Sequence, residues 1–179
     1  MARLPHISGQ FDADTRRLLF PPPVRQRFMS VVVSELGTHE WPPGSNWGPV
    51  RKFLAAVNIH TGAPWCAAFV VWSLRKYGYK GPLPANPAWV PNWTAWARQK
   101  RITKPVALAA KGDILIFNWP GTDPAPDHIG FCFSGWVSKK LWTVEGNIGS
   151  YGGQVAKTER RPGLIVMCID LKKLLALGR

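Results

Sequence analysis

Apolar positions along this chain follow two regimes, helical up to the region of Lys100 and strand-like after it. The segment from Ala67 to Leu74 is apolar on every side, which predicts a helix buried along its length with Gly78 as its C-terminal stop. Pro23 to Leu36 predicts an earlier helix: proline suits the first turn, Phe28, Val31, Val32 and Glu35 form a partly amphipathic face, and Gly37 closes it. Turn residues and aromatics crowd the stretch from Thr38 to Gly48, which reads as loop, with a short helix from Pro49 to Val57 after it. Trp89, Trp93 and Trp96 recur at helical spacing around a helix that begins near Pro91, and so predict a packing stripe.

After Lys100 the period changes. Lys111-Gly112-Asp113 is a turn, Ile114 to Trp119 a strand, Pro120 to Asp127 a loop, His128 to Phe133 a strand and Ser134 to Lys140 a further turn. Leu141 to Gly146 makes a third strand and Leu164 to Ile169 an apolar, buried one. Helices first and strands afterwards define an α+β class, with N-terminal helices packed on a C-terminal antiparallel β-sheet. At 179 residues the chain suits one domain, residues 22–179. Residues 1–21 mix Arg16, Arg17 and small polar groups before the stiff Pro21-Pro22-Pro23, and read as a basic arm or short extra helix; Leu171 to Arg179 is a short basic helix at most.

Charge changes the picture by naming a class of partner. A net charge of +13 and a pI near 10.2 favour a polyanionic partner: nucleic acid, anionic lipid, lipopolysaccharide or the bacterial cell wall. A basic nucleic-acid-binding module is the non-enzyme alternative, but the basic residues are dispersed in pairs such as Arg51-Lys52, Arg75-Lys76, Lys100-Arg101, Lys139-Lys140 and Arg160-Arg161 with no nucleic-acid motif, so no specific nucleic-acid partner is expected. Of the ten tryptophans, Trp72, Trp119 and Trp142 sit in apolar segments and are expected in the core. The three cysteines, Cys66, Cys132 and Cys168, show neither an even count nor CxxC spacing, so no disulfide framework or zinc ribbon is expected. A zinc site of Cys66, Cys132 and His128 lacks a motif, and no cofactor or metal is expected. No apolar run reaches the roughly 20 residues that cross a bilayer, and the N-terminus lacks an apolar signal core. The expectation is a monomer with no transmembrane segment, made in the cytoplasm without a signal peptide.

Candidate chemistry concentrates at Cys66. The Gly62-Ala63-Pro64-Trp65 turn throws this thiol onto the first turn of the buried helix, where unpaired amides and the positive end of the helix dipole favour thiolate. A free cysteine is otherwise most often a small core hydrophobe. Alternation along strands puts His128, Gly130 and Cys132 on one face and Ile129, Phe131 and Phe133 on the core face. On the next strand Thr143, Glu145 and Asn147 share a face. An antiparallel hairpin turning at Val137 and Ser138 brings His128 to Glu145 or Asn147, directly or diagonally. Cys66 opposite that imidazole completes nucleophile, general base and orienting group.

The order Gly-Ala-Pro-Trp-Cys-Ala-Ala-Phe-Val-Val-Trp, Lys-Gly-Asp-Ile-Leu-Ile-Phe, Asp-His-Ile-Gly-Phe and Thr-Val-Glu-Gly-Asn-Ile-Gly resembles the CHAP family, the cysteine, histidine-dependent amidohydrolases/peptidases of the NlpC-type, papain-like group. The likeness runs from about Val24 to Asp170. It implies a papain-like fold and peptidoglycan cleavage, with Cys66 as nucleophile, His128 as base and Glu145 and Asn147 as candidates for orienting the histidine. Asp127 stands where many relatives have glycine, and Pro42 to Ala63 contains no acidic residue, so the calcium site of some relatives is not expected. The chain resembles single-domain phage endolysins of Gram-negative hosts, which act on the wall after release. Alternatives are a secreted antibacterial amidase effector and a tail-associated lysin. Whether the bond cut is that of an N-acetylmuramoyl-L-alanine amidase or of a peptide endopeptidase stays open.

Overall fold

Four helices come first and a sheet follows, in a computed structural model that describes residues 23–119, 125–149 and 153–179. The helices are α1 (Val24–Val33), α2 (Arg51–Ala55), which continues a 3₁₀ turn over Gly48–Val50, α3 (Cys66–Lys76) and α4 (Val90–Gln99). The strands are β1 (Thr103–Lys104), β2 (Ile114–Phe117), β3 (His128–Cys132), β4 (Leu141–Ile148), β5 (Gln154–Arg160) and β6 (Ile165–Ile169), and a short α5 (Leu171–Ala176) closes the chain. The six strands form one sheet in the order β1-β6-β2-β3-β4-β5, each neighbouring pair antiparallel. The class is therefore α+β, as the switch of period predicts.

One face of the sheet carries the main core. Ile129 and Phe131 of β3, Val144 of β4 and Ile114 and Ile116 of β2 bury against α3, whose residues Ala67 to Val71 and Leu74 are themselves buried. Gly146 sets how close helix and sheet come: a Cβ there would lie 2.7 Å from the Trp65 ring and 2.9 Å from Phe69 Cβ. The opposite face is buried too, by a smaller cluster of Leu115, Phe117, Cys132, Leu141, Ile165 and Cys168 under Trp119 and Trp136.

Several expectations need correction. The β3–β4 turn is centred on Ser138 and Lys139, both at positive φ, and not on Val137 and Ser138. Strand β4 runs two residues beyond Gly146, to Ile148, because β5 supplies a partner there. Neither β5 nor β1 follows from the apolar pattern. Along β5 only Val155 is buried, so its partner strand and not its composition makes it a strand. The predicted loop after α1 partly joins that edge: Gly37 N–H donates to Val155 O at 2.9 Å and Val155 N–H to Thr38 O at 2.8 Å. Trp142 is 42% exposed and Trp72 and Trp119 are half-buried, so none of the three is a true core residue. Trp89 leaves the predicted stripe at 58% exposure, while Trp93 and Trp96 are buried. The predicted arm, residues 1–21, lies outside the described residues.

Candidate active site

Cys66 is the first residue of α3 and Trp65 its N-cap, with no side-chain cap on the helix amides. The first amides of a helix have no intrahelical acceptor, so partial positive charge gathers around the thiol. Trp65 is pinned from below. Its indole N–H donates to Glu40 Oε1 at 2.9 Å and its ring stacks on Phe53 at 5.4 Å between centroids. The other oxygen of the buried Glu40 accepts the Asn46 N–H at 3.0 Å. Cys66 is only 6% exposed, yet it opens onto a cleft of about 310 Å³ that Trp89, Pro91, Pro126 and Asp127 also line.

His128 opens β3 at 6% exposure, with its ring 5.7 Å from the centroids of both Phe117 and Trp119. Its Nε2 makes a 2.8 Å hydrogen bond with Glu145 Oε2, and the Cys66 thiol acts on the same ring, favouring its protonation. Pairing in the ladder is Gly130 to Glu145, so His128 meets the carboxylate on the diagonal. Burial disfavours charge on this imidazole. Hydrogen bonds to Cys66 and Glu145, with the charge of each, outweigh it and raise His128 from 6.5 to about 9.

Glu145 is fully buried and saturated with donors. Oε1 accepts from Arg160 Nε at 2.9 Å and from the Thr143 hydroxyl, and Oε2 accepts from Arg160 Nη2 at 2.8 Å. Burial opposes ionisation, but the hydrogen bonds from Arg160 and His128 and their positive charge prevail, holding the carboxyl at about 2. The Arg160 guanidinium is itself braced 4.6 Å over the Trp119 ring.

The structure thus brings Cys66, His128 and Glu145 together. Asn147 goes elsewhere. It lies where the β4–β5 register shifts between Glu145 and Ile148, with φ at 62°, and its amide oxygen faces Gly153, where an added Cβ would collide with it and with Glu40 Oε1. Cys132 and Cys168 lie beside Asp113 in the second cluster, and burial pushes each thiol up to about 12. Among the described residues no group of three or more His, Cys, Asp or Glu side chains is placed to hold a metal ion. Arg160 and Glu40 escape the sequence reading as site residues, and Thr143 is placed on the face of Glu145 without a role. For Arg160 the usable signal is alternation along β5, which puts it on the face of Glu145 once that strand is known.

No family model, no curated protein and no solved structure matches the chain. Fold and site define a class by themselves: an α+β protein with a cysteine at a helix start facing a histidine that a buried carboxylate holds.

Proposed function

We propose that the protein is a peptidoglycan hydrolase that cleaves an amide bond through Cys66. The observation that carries this reading is the buried His128 ring held 2.8 Å from Glu145 Oε2 through Nε2, with its protonation favoured by Cys66 at the α3 start. A histidine raised to about 9 is protonated at neutral pH, the form that stabilises a facing thiolate and later gives a proton to a leaving amine. In the first step the Cys66 sulfur attacks the carbonyl carbon. The C–N bond then breaks as His128 protonates the departing nitrogen, and an acyl thioester remains. Water, deprotonated by His128, attacks that thioester, releases the carboxylic acid and restores the thiol. Unpaired amides at the α3 start supply donors for the oxyanion. Glu145 keeps the imidazole oriented and takes no proton in the cycle.

The substrate part of the reading rests on the four ordered motifs and on the charge of +13, which suits an anionic envelope. A phage endolysin is the setting this reading takes, with a secreted amidase effector or tail-associated lysin as alternatives that genomic neighbours separate. Mass spectrometry of purified peptidoglycan after incubation tests it. Soluble fragments carrying a new amine and a new carboxylate are expected with the native protein and not with Cys66→Ala. Identical digests from both proteins would remove Cys66 from the chemistry. The masses also decide between amidase and endopeptidase.

A further inference from the structure

The described carboxylates of this protein are nearly all occupied by its own groups. Glu35 pairs with Lys52, Asp113 with Arg25 and Lys104, Glu159 with Lys140, and Asp170 with Lys104. Glu40 holds Trp65, and Glu145 holds His128 and Arg160. Asp127 is different: among the described residues its exposed side chain has neither an ion-pair nor a hydrogen-bond partner, and it lines the cleft onto which Cys66 opens. In a chain of net charge +13, where cations outnumber carboxylates more than twofold, an unpartnered carboxylate beside the nucleophile marks a place for an external cation.

The rest of the cleft says which kind of cation fits. Among the described residues its other walls are apolar, from Pro64, Val90, Pro91 and Pro126, with the 58% exposed indole of Trp89 at its side. Such a slot takes methylene groups along its length, and an indole face attracts an ammonium desolvated against it. A metal ion would need several oxygen donors, and among the described residues no group of three or more His, Cys, Asp or Glu side chains is placed to hold one. We infer that this cleft is a subsite for a primary ammonium on an aliphatic chain, and that Asp127 and Trp89 select peptides carrying the free side-chain amine of a diamino acid next to the amide that Cys66 attacks. The inference deepens the hydrolase reading and rests on it for the position of the scissile bond. Asp127 is a specificity residue here, since the His128 ring is already oriented by Glu145.

The test separates recognition from chemistry. Two synthetic stem peptides, alike except that the diamino acid carries a free or an acetylated side-chain amine, are titrated by calorimetry into full-length Cys66→Ala protein, which binds without turnover. Preference for the free amine by about tenfold is expected, the scale of one charge-assisted contact at a partly exposed site. Adding Asp127→Asn should abolish the preference by weakening the free-amine peptide alone, and adding Trp89→Ala should reduce it. Equal binding of the two peptides, no binding of either, or Asp127→Asn weakening both alike overturns the inference. Hydrolysis of the free-amine peptide by native protein is then measured separately. An intact binding preference without hydrolysis would count against the hydrolase reading and leave the subsite standing.

Discussion

Gly130 stands directly opposite Glu145 in the β3–β4 ladder, and His128 reaches the carboxylate across that bare position. A Cβ on Gly130 would collide with Glu145 Cγ and come within 3.1 Å of Val144 O. The glycine therefore makes room for a buried carboxylate and opens the diagonal path to the imidazole.

Gly130→Ala should accordingly damage the site more than the fold. Forcing one methyl into a filled space costs typically 1–3 kcal/mol, about the scale expected here in chemical denaturation. Hydrolysis should fall at least tenfold in protein that is still folded by circular dichroism, because Glu145 must move. Wild-type activity in Gly130→Ala would mean that the diagonal contact does not govern the rate.

The three thiols should behave differently. Cys132 and Cys168 are buried and pushed up to about 12, so iodoacetamide at pH 7.5 should label Cys66 first, as peptide mapping would read. Cys66→Ala should abolish hydrolysis in a folded protein. Cys132→Ser and Cys168→Ala should keep it, and a loss of activity through either without unfolding would contradict the assignment of the nucleophile.

Among the orienting groups, Glu145→Gln should slow hydrolysis far more than Asn147→Ala, since Glu145 touches the ring and Asn147 faces Gly153. His128→Ala should lose about 10²–10⁴-fold, the usual share of proton transfer. Arg160→Ala strips two hydrogen bonds from a fully buried carboxylate, and breaking such a pair costs about 3–5 kcal/mol. Equal rates for Glu145→Gln and native protein would remove Glu145 from the mechanism.

Stability should decline on both sides of mildly acid pH. The Glu145 carboxyl is lowered from 4.5 to about 2, so its contribution is complete above 4.5 and is lost as pH falls through 2. The His128 imidazole is raised from 6.5 to about 9, so its contribution is complete below 6.5 and is lost as pH rises through 9. The two act together between 4.5 and 6.5. Scanning calorimetry across pH should show His128→Ala losing the alkaline dependence selectively. Activity should fall along a limb near 9 as the imidazolium deprotonates.

Salt should separate recruitment from catalysis. Exposed charges more than about 8 Å apart are screened at physiological ionic strength, so lysis of permeabilised Gram-negative cells should drop steeply as salt rises. Hydrolysis of a small soluble muropeptide should change little, because the charges around His128 are buried. Salt-independent lysis would argue that the charge of +13 does not recruit the protein to its substrate.

The linear pattern was enough for the helix of Cys66, for the four inner strands β6, β2, β3 and β4 and for the face that His128 shares with Gly130. Those features depend on periodicity and on local turn chemistry, which neighbouring residues carry. It was also enough to narrow the partner of His128 to Glu145 or Asn147, since alternation limits which side chains a hairpin can bring together.

The choice between those two residues belongs to the tertiary structure. On an unbroken ladder Asn147 would stand opposite His128. The irregularity between Glu145 and Ile148 instead turns Asn147 toward Gly153, and that shift comes from pairing with β5, a strand with too few apolar residues to announce itself. Arg160 depends on the same strand, and Glu40 reaches Trp65 across 25 residues of sequence. The sequence by itself determined the α+β class and which residues are candidates for the chemistry. Only folding decided which of them meet and how Glu145 stays charged while fully buried, because both depend on contacts between segments far apart in the chain.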